Sequence, residues 1–483
     1  MAFRQAGARP VSDTLLLFLT LDWLARFAIF AVIIFSRPAV GAQGWLALVL
    51  VFPIPAILVV LWAFRPLATA RRRARFAEAR RQLKIARRQI LMSQHCSPPQ
   101  LPAHLVRAAQ LIERVNLFPA VGGNNIEALA DYQEVIDRLV ADIGTARHHV
   151  HLTTYIFSDD AVGNQIIAAL VAAASRGIEC RVLIDALGSY WWSRRIIRKL
   201  RSCGITVRRA LPVSLTNMEA LRPDLRNHRK LAVIDGRLGY IGSQNVISPE
   251  LPGGQRSKEF VVRVNGPVVL QMQALFANDW FLESGDLLSD GALFPHERSA
   301  GAAHAQLVAG GPEYRRSVIR LLLDALVHTV EHRLVITTPY FVPDEALLLA
   351  LEGAAARGVE VCLILPKKGD HRLVDLAQRS FFDRMLEAGI DIHLYHRGFL
   401  HAKHVSVDDD LVLVGSMNID LRSLELNGEA GLLIYDQDTT ARLREEEARN
   451  IAGSERLVRA EWNARPALAR AAENAARLFS PLL

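Results

Sequence analysis

The sequence predicts an α/β protein made of two copies of one unit, set behind a membrane anchor of two spans. Three observations predict it. The pattern H-x-K-x₄-D occurs at His228, Lys230 and Asp235 and again at His401, Lys403 and Asp408. Each copy is followed at identical offsets by Gly-Ser-x-Asn: Gly242, Ser243 and Asn245, then Gly415, Ser416 and Asn418. Ahead of both lie two apolar stretches, Leu15–Phe35 and Trp45–Phe64, each long enough to cross a bilayer as a helix. One short motif arises easily by chance, whereas two copies with three further matched offsets mark a duplication.

The apolar stretches come first in the chain, and both are too long for a cleaved signal peptide. Pro53 and Pro55 interrupt the second and leave a re-entrant hairpin open as an alternative. Asp22 and Arg26 are placed to pair on one helix face, which lowers the cost of burying either charge. The loop Ser36–Gly44 carries one basic residue, Arg37, while nine Arg and one Lys between Arg65 and Ile90 face a single acid, Glu78. The positive-inside rule therefore puts the chain from residue 65 onward in the cytoplasm. The expected plan is an anchor over 1–64 (spans 15–35 and 45–64) and a basic juxtamembrane linker over 65–104. Two halves follow, over 105–300 and 301–483.

The net charge of +8 calls for an anionic partner, nucleic acid or an acidic membrane surface. The basic residues cluster beside the spans, and no aromatic stacking pattern accompanies them, which favours an anionic phospholipid membrane over nucleic acid. Residues 66–92 read as a helix that lies along headgroups or acts as a solvated linker. Cys96, Cys180, Cys203 and Cys362 are scattered without metal-ligand spacing and read as small core residues.

Within the first half the pattern alternates: helix Ala128–Arg147, strand Val150–Phe157, helix Val162–Arg176, strand Ile178–Ile184, helix Arg194–Ser202, strand Ile205–Ala210. The second half repeats it as Tyr314–His332, Leu334–Phe341, Asp344–Arg357, Val359–Leu365, His371–Ala388 and Ile390–Tyr395. Such alternation implies a mainly parallel sheet covered by helices. In each motif the histidine and lysine are two residues apart and share a strand face. The aspartates fall at an odd offset, in tight turns at Asp235-Gly236 and Asp408–Asp410, and are expected to hold strand ends although they complete the catalytic motif.

Two histidines, two lysines and two asparagines suit a phosphodiester. Lys230 and Lys403 neutralise the non-bridging oxygens, while Ser243, Asn245, Ser416 and Asn418 donate hydrogen bonds to the phosphate. One imidazole attacks phosphorus and the other protonates the departing alcohol. Glu259 and Glu429, at similar distances after their own motif histidines, are expected to fix the histidine tautomers. No metal or other cofactor is required, and no carboxylate cluster of the two-metal type is evident. His148, His149, His151, His393, His396 and His404 do not recur between halves and read as structural or solvent-facing.

The duplicated motif resembles that of the phospholipase D superfamily, and within it the chain is similar to bacterial cardiolipin synthases. The similarity extends to Thr154-Tyr155-Ile156-Phe157, Asp185-Ala186-Leu187-Gly188-Ser189, Thr338-Pro339-Tyr340-Phe341 and Pro366-Lys367-Lys368-Gly369-Asp370-His371. The resemblance implies a duplicated phospholipase-D-like fold. It also implies transfer of a phosphatidyl group from one phosphatidylglycerol to another with release of glycerol. By the same resemblance His228 is the nucleophile and His401 the acid and base. The segment Ser248–Ser257, rich in Gly and Pro, departs from the family on the acceptor side. A phospholipase D hydrolase, or transfer to phosphatidylethanolamine, would use the same residues, as would a membrane-anchored nuclease.

Overall fold

The computed structural model describes residues 13–36, 70–92, 101–116, 118–213, 224–251, 254–296, 298–314 and 317–480. Its centre is one continuous sheet of 15 strands. From the outer edge, the first half contributes Thr206–Ala210, Glu179–Asp185, His149–Thr154, Leu231–Ile234, Leu238–Gly242, Val261–Asn265 and Val121–Leu129. The second contributes, in equivalent order, Asp391–Tyr395, Glu360–Pro366, Arg333–Thr337, His404–Val407, Leu411–Gly415, Glu429–Tyr435 and Ala303–Gly310, with Ser454–Arg456 added outside. The duplication read from the motifs is thus a duplication of strand order.

The sheet is mixed where a mainly parallel one was expected. Parallel pairing joins only the three outer strands of each repeated set, which the helical crossovers connect. After the third strand the chain enters the motif hairpin, and a tight turn can only reverse direction. Leu231–Ile234 and His404–Val407 therefore run antiparallel to the strands beside them. The halves meet where Val121–Leu129 pairs antiparallel with Ala303–Gly310, Val121 opposite Ala305 and Asn124 opposite Ala303. Neither strand was expected. Their Gly, Ala and Asn content carries no alternating pattern, and Ala128 was assigned to a helix that begins at Tyr132.

The helices cover the sheet as amphipathic layers. Two equivalent helices, Ala161–Ser175 and Glu345–Ala356, start on aspartate caps: Asp160 accepts from Gly163 N–H and Asp344 from Leu347 N–H, each at 2.9 Å. A cap of this kind contributes about 1 kcal/mol. The helix Ala103–Asn116 opens the expected first half but packs on Val318–Thr329 of the second, burying Leu105 and Ile112 beside Leu322 and Leu326. The basic segment is likewise no free linker. Ala70–Leu91 is a helix docked on Val268–Ser284, with Leu83 and Ile90 buried, Arg72 2.7 Å from Glu283 and Arg87 2.8 Å from Glu113.

The first expected span coincides with a helix, Asp13–Ser36, in which Arg26 Nε donates to Asp22 at 2.8 Å. Among the described residues no helix is long and apolar enough to cross a membrane. The second expected span, 45–64, lies outside the described residues, as does Cys96. Cys180 and Cys362 are buried, as expected of core residues, whereas Cys203 is exposed at a helix end.

Candidate active site

The two motifs meet where the halves exchange backbone. Asn227 bridges to Gly428, and His228 N–H donates to the Gly428 carbonyl at 2.8 Å. Symmetrically, Phe399–Leu400 pairs in parallel with Ser257–Lys258, and His401 N–H donates to the Lys258 carbonyl at 2.8 Å. Each histidine is thereby placed beside the glutamate of the opposite half. His228 Nδ1 lies 3.0 Å from both Glu429 oxygens, and His401 Nδ1 lies 2.8 and 2.9 Å from those of Glu259. The orienting role expected of the glutamates fits this geometry, but the pairing is crossed. Sequence distance could not reveal this, because the strand exchange is a tertiary feature. With Nδ1–H donated to a carboxylate, Nε2 is left as the reactive nitrogen of each ring.

The lysines are anchored alike. Lys230 Nζ donates to the His228 carbonyl at 2.8 Å and Lys403 Nζ to that of His401 at 2.6 Å. All four groups are deeply buried and lie close enough to shift one another. Burial, with Lys230 and Lys403 adding to it, pushes His228 down to about 4 against the pull of Glu429. His401 is also lowered, by burial first and then by the two lysines, against Glu259. Burial brings Lys403 down to about 8 and holds Lys230 well below the usual lysine range. Burial alone would raise the carboxyl groups. The facing histidines and lysines outweigh it and hold both Glu259 and Glu429 low. Both lysines and both histidines lose proton affinity to burial, and a bound anion would restore it.

The Gly-Ser-x-Asn segments serve the glutamates more than the phosphate. A Cβ at Gly242 would sit 2.4 Å from the Phe260 carbonyl oxygen, and one at Gly415 2.5 Å from that of Ala430, so only glycine admits the approach of the glutamate strands. Ser416 Oγ then donates to Glu429, and Ser243 Oγ accepts from Phe260 N–H at 2.9 Å while stabilising the Glu259 carboxylate. Both serines, expected to bind phosphate, are fully buried and bonded within the glutamate strands. Asn245 Oδ1 accepts from Ile156 N–H at 3.2 Å, which leaves its amide donors for a ligand, and Asn418 lies against Asp420.

Asp235 and Asp408 stand at the opposite ends of the motif strands from the histidines. Asp235 accepts from the main chain of Arg147, His148 and His149 at 2.8, 2.8 and 2.9 Å. Asp408 accepts from Glu331, His332 and Arg333 at 3.2, 2.8 and 2.9 Å. They tie the motif hairpin to the neighbouring strand. The structural reading of the flanking histidines also fits: His151 stacks on Phe276 at 4.2 Å between ring centroids, and His404 is buried beside Phe260.

Three features carried no sequence signal of their role. Tyr155 stands edge-on to His228 at 4.9 Å, with Lys230 Nζ 5.3 Å from its ring centroid. Arg226 pairs with buried Asp185 at 3.0 Å. Arg229, between the motif histidine and lysine, donates to both Asp279 oxygens at 2.7 and 2.8 Å, to Gly310 O at 2.7 Å and to Glu429 O at 3.2 Å. Ala402 occupies its place in the second motif, so comparing the repeats conceals it.

Paired His–Lys sets from two fused halves, each histidine braced by the other half's glutamate, define a phosphodiester-processing site of the phospholipase D type. A family model described as "Cardiolipin synthase, PLD-like domain" matches residues 139–280 and 322–450. Cardiolipin synthase A of Yersinia pseudotuberculosis is 35% identical over 477 residues, spanning 95% of this chain and 97% of that protein. The same figures hold for cardiolipin synthase A of Yersinia pestis. The chain belongs to the cardiolipin synthase family of phospholipase-D-like proteins. The fold is shared with the crystal structure of phosphatidylserine synthase from Haemophilus influenzae, with a TM-score of 0.60 at 17% identity, covering 78% of this chain and all of that one (100%).

Proposed function

We propose that the protein is a phosphatidyltransferase that makes cardiolipin from two molecules of phosphatidylglycerol. The crossed His228–Glu429 and His401–Glu259 pairs carry this reading, because they supply two imidazoles with fixed tautomers, each within the field of both motif lysines. His228 Nε2 attacks the phosphorus of the first phosphatidylglycerol. The bond from phosphorus to the terminal glycerol oxygen breaks, and His401 delivers the proton that glycerol carries away. His401, now neutral, takes the proton from the terminal hydroxyl of a second phosphatidylglycerol. That oxygen attacks phosphorus, the P–N bond breaks, and cardiolipin leaves. Lys230, Lys403 and the asparagine amides stabilise charge on the non-bridging oxygens throughout. His228 is assigned as the attacking group by family analogy, and burial, which lowers its pKa, keeps it neutral and nucleophilic.

In this reading residues 1–64 anchor the enzyme by two spans, with the catalytic part on the cytoplasmic side and anionic phospholipid as its surroundings. The distribution of Arg and Lys after residue 65 supports that orientation. The test is reconstitution of the full chain in phosphatidylglycerol vesicles. Free glycerol should appear in equal amount with cardiolipin and without phosphatidic acid. Phosphatidic acid as the main product would make water the acceptor and the protein a hydrolase.

A further inference from the structure

The catalytic end of the sheet carries an exposed rim that the reaction does not use. The strands Glu179–Asp185 and Glu360–Pro366 are equivalent, and their parallel neighbours end at Thr154 and Thr337, opposite the starts of the two motif strands. The loops that leave these strands therefore emerge on the side where His228 and His401 lie. Direct contacts fix them there. Ser189 Oγ donates to the Tyr155 carbonyl at 2.9 Å, and Tyr340 OH donates to Asp370 at 2.7 Å.

On the first loop and the helix Tyr190–Ser202 that follows, Leu187 is 46% exposed, Tyr190 57% and Trp191 83%. These side chains are not turned toward the core, since the helix buries Ile196, Ile197 and Leu200 instead. Tyr190 and Trp191 stand against each other at 5.4 Å between ring centroids. Arg194, Arg195 and Arg198 lie exposed just behind them. Across the site, the equivalent loop and helix expose Lys367, Lys368, Arg372 and Leu373. Large apolar and aromatic side chains bordered by cations on both sides of one cleft match the interface of an anionic bilayer. There, Trp and Tyr rings sit at headgroup depth and each nearby Lys or Arg adds attraction.

We propose that this rim docks the active-site cleft onto the surface of an anionic phospholipid bilayer, with Leu187, Tyr190 and Trp191 entering the headgroup layer. The inference rests on the lipid-processing reading above. It adds a second membrane contact, separate from the N-terminal segment, that presents the cleft face-on to its substrate. Opposite charge identifies the partner: Arg195 pairs with Asp159 and Lys367 with Glu455, but Arg194, Arg198, Lys368 and Arg372 are also exposed on the two sides.

Two measurements on the full chain test it. In vesicles of phosphatidylglycerol and phosphatidylcholine brominated at shallow acyl positions, the fluorescence lost on Trp191→Phe should belong to a strongly quenched tryptophan. An unquenched Trp191 contribution would overturn the docking. This readout needs no turnover, so quenching without any cardiolipin synthesis would sink the functional reading and leave the surface standing. In the second measurement, the Leu187→Ser/Trp191→Ser variant should lose on the order of tenfold in rate on vesicles, the scale of withdrawing one or two large apolar side chains from a buried setting. Its rate on short-chain phosphatidylglycerol below the micelle concentration should be unchanged. Equal losses on both substrates would assign these residues to the pocket, and no loss on vesicles would remove them from the membrane; either result contradicts the proposal.

Discussion

His228 and Glu429 are separated by 201 residues and belong to different halves, yet the imidazole Nδ1 lies 3.0 Å from both carboxylate oxygens. The reciprocal pair, His401 with Glu259, completes an exchange in which each half braces the other's catalytic ring. Neither motif histidine is braced by the glutamate of its own half.

The crossing has a kinetic consequence. Glu429→Gln should impair the step performed by His228, and Glu259→Gln the step performed by His401, each by about 10²- to 10⁴-fold. A phosphatidyl ester of a phenol needs no acid to expel its leaving group. With it, Glu259→Gln should retain a rapid burst of phenol release and Glu429→Gln should lose it. The reverse pattern would mean that the glutamates act within their own halves.

Lys403, lowered to about 8 by burial, should regain its proton affinity when a phosphodiester anion sits beside it. Below that pH the lysine is charged in both states and affinity is flat. Above it, binding takes up a proton and affinity falls as pH rises. Calorimetric titration of His228→Ala with short-chain phosphatidylglycerol, in two buffers of different ionisation heat, measures the uptake. Proton release, or affinity that rises with pH through this window, would contradict the charge assignment.

Asp235→Ala and Asp408→Ala should act on folding. Each removes three main-chain acceptor contacts at a residue whose φ is positive, 54° and 46°, so each should cost about 1–3 kcal/mol. Asparagine keeps an acceptor and tolerates that φ, so the Asn variants should melt closer to the parent and remain partly active. Burial works against the Asp408 carboxylate, but its three N–H donors and His104 outweigh it and lower its pKa. Its stabilisation is present above the unfolded carboxyl pKa of about 3.9 and disappears as pH falls through the lower folded value. Melting curves between pH 7 and 3 should therefore converge for parent and Asp408→Ala. A fully folded but inactive Asp408→Asn would put this side chain back among the reacting groups.

Arg229→Ala would leave Asp279 buried without its guanidinium and should destabilise the protein by about 3–5 kcal/mol. Arg229→Lys should recover little, because one ammonium cannot reach Asp279, Gly310 and Glu429 in a planar fork. Denaturant midpoints would check both, and a Lys variant as stable as the parent would show that charge alone suffices.

Much of this arrangement was legible because function constrains repeats: the motif histidines, lysines and aspartate turns stand at matched offsets, and the glutamates at similar ones. Legibility ended where tertiary pairing takes over. The crossed glutamates depend on the Asn227–Gly428 and Phe399–Ser257 strand contacts, which no local pattern encodes. The joining strands Val121–Leu129 and Ala303–Gly310 are buried along most of their length, so alternation of polar and apolar residues is lost. The basic segment read correctly as helical. Its docking was invisible because Arg72 and Arg87 look like any solvent-facing charge until Glu283 and Glu113 are placed beside them.

The most direct test of the account is to find where the phosphoryl group rests between the two half-reactions. Full-length His401→Ala, given a phosphatidyl ester of a phenol labelled at phosphorus, should accumulate a covalent adduct. That adduct should be stable to alkali and labile to acid, as a phosphoramidate is, and peptide mapping should place it on His228. No adduct should form in His228→Ala. Label on His401 in the parent enzyme, or an adduct that survives in His228→Ala, would contradict it.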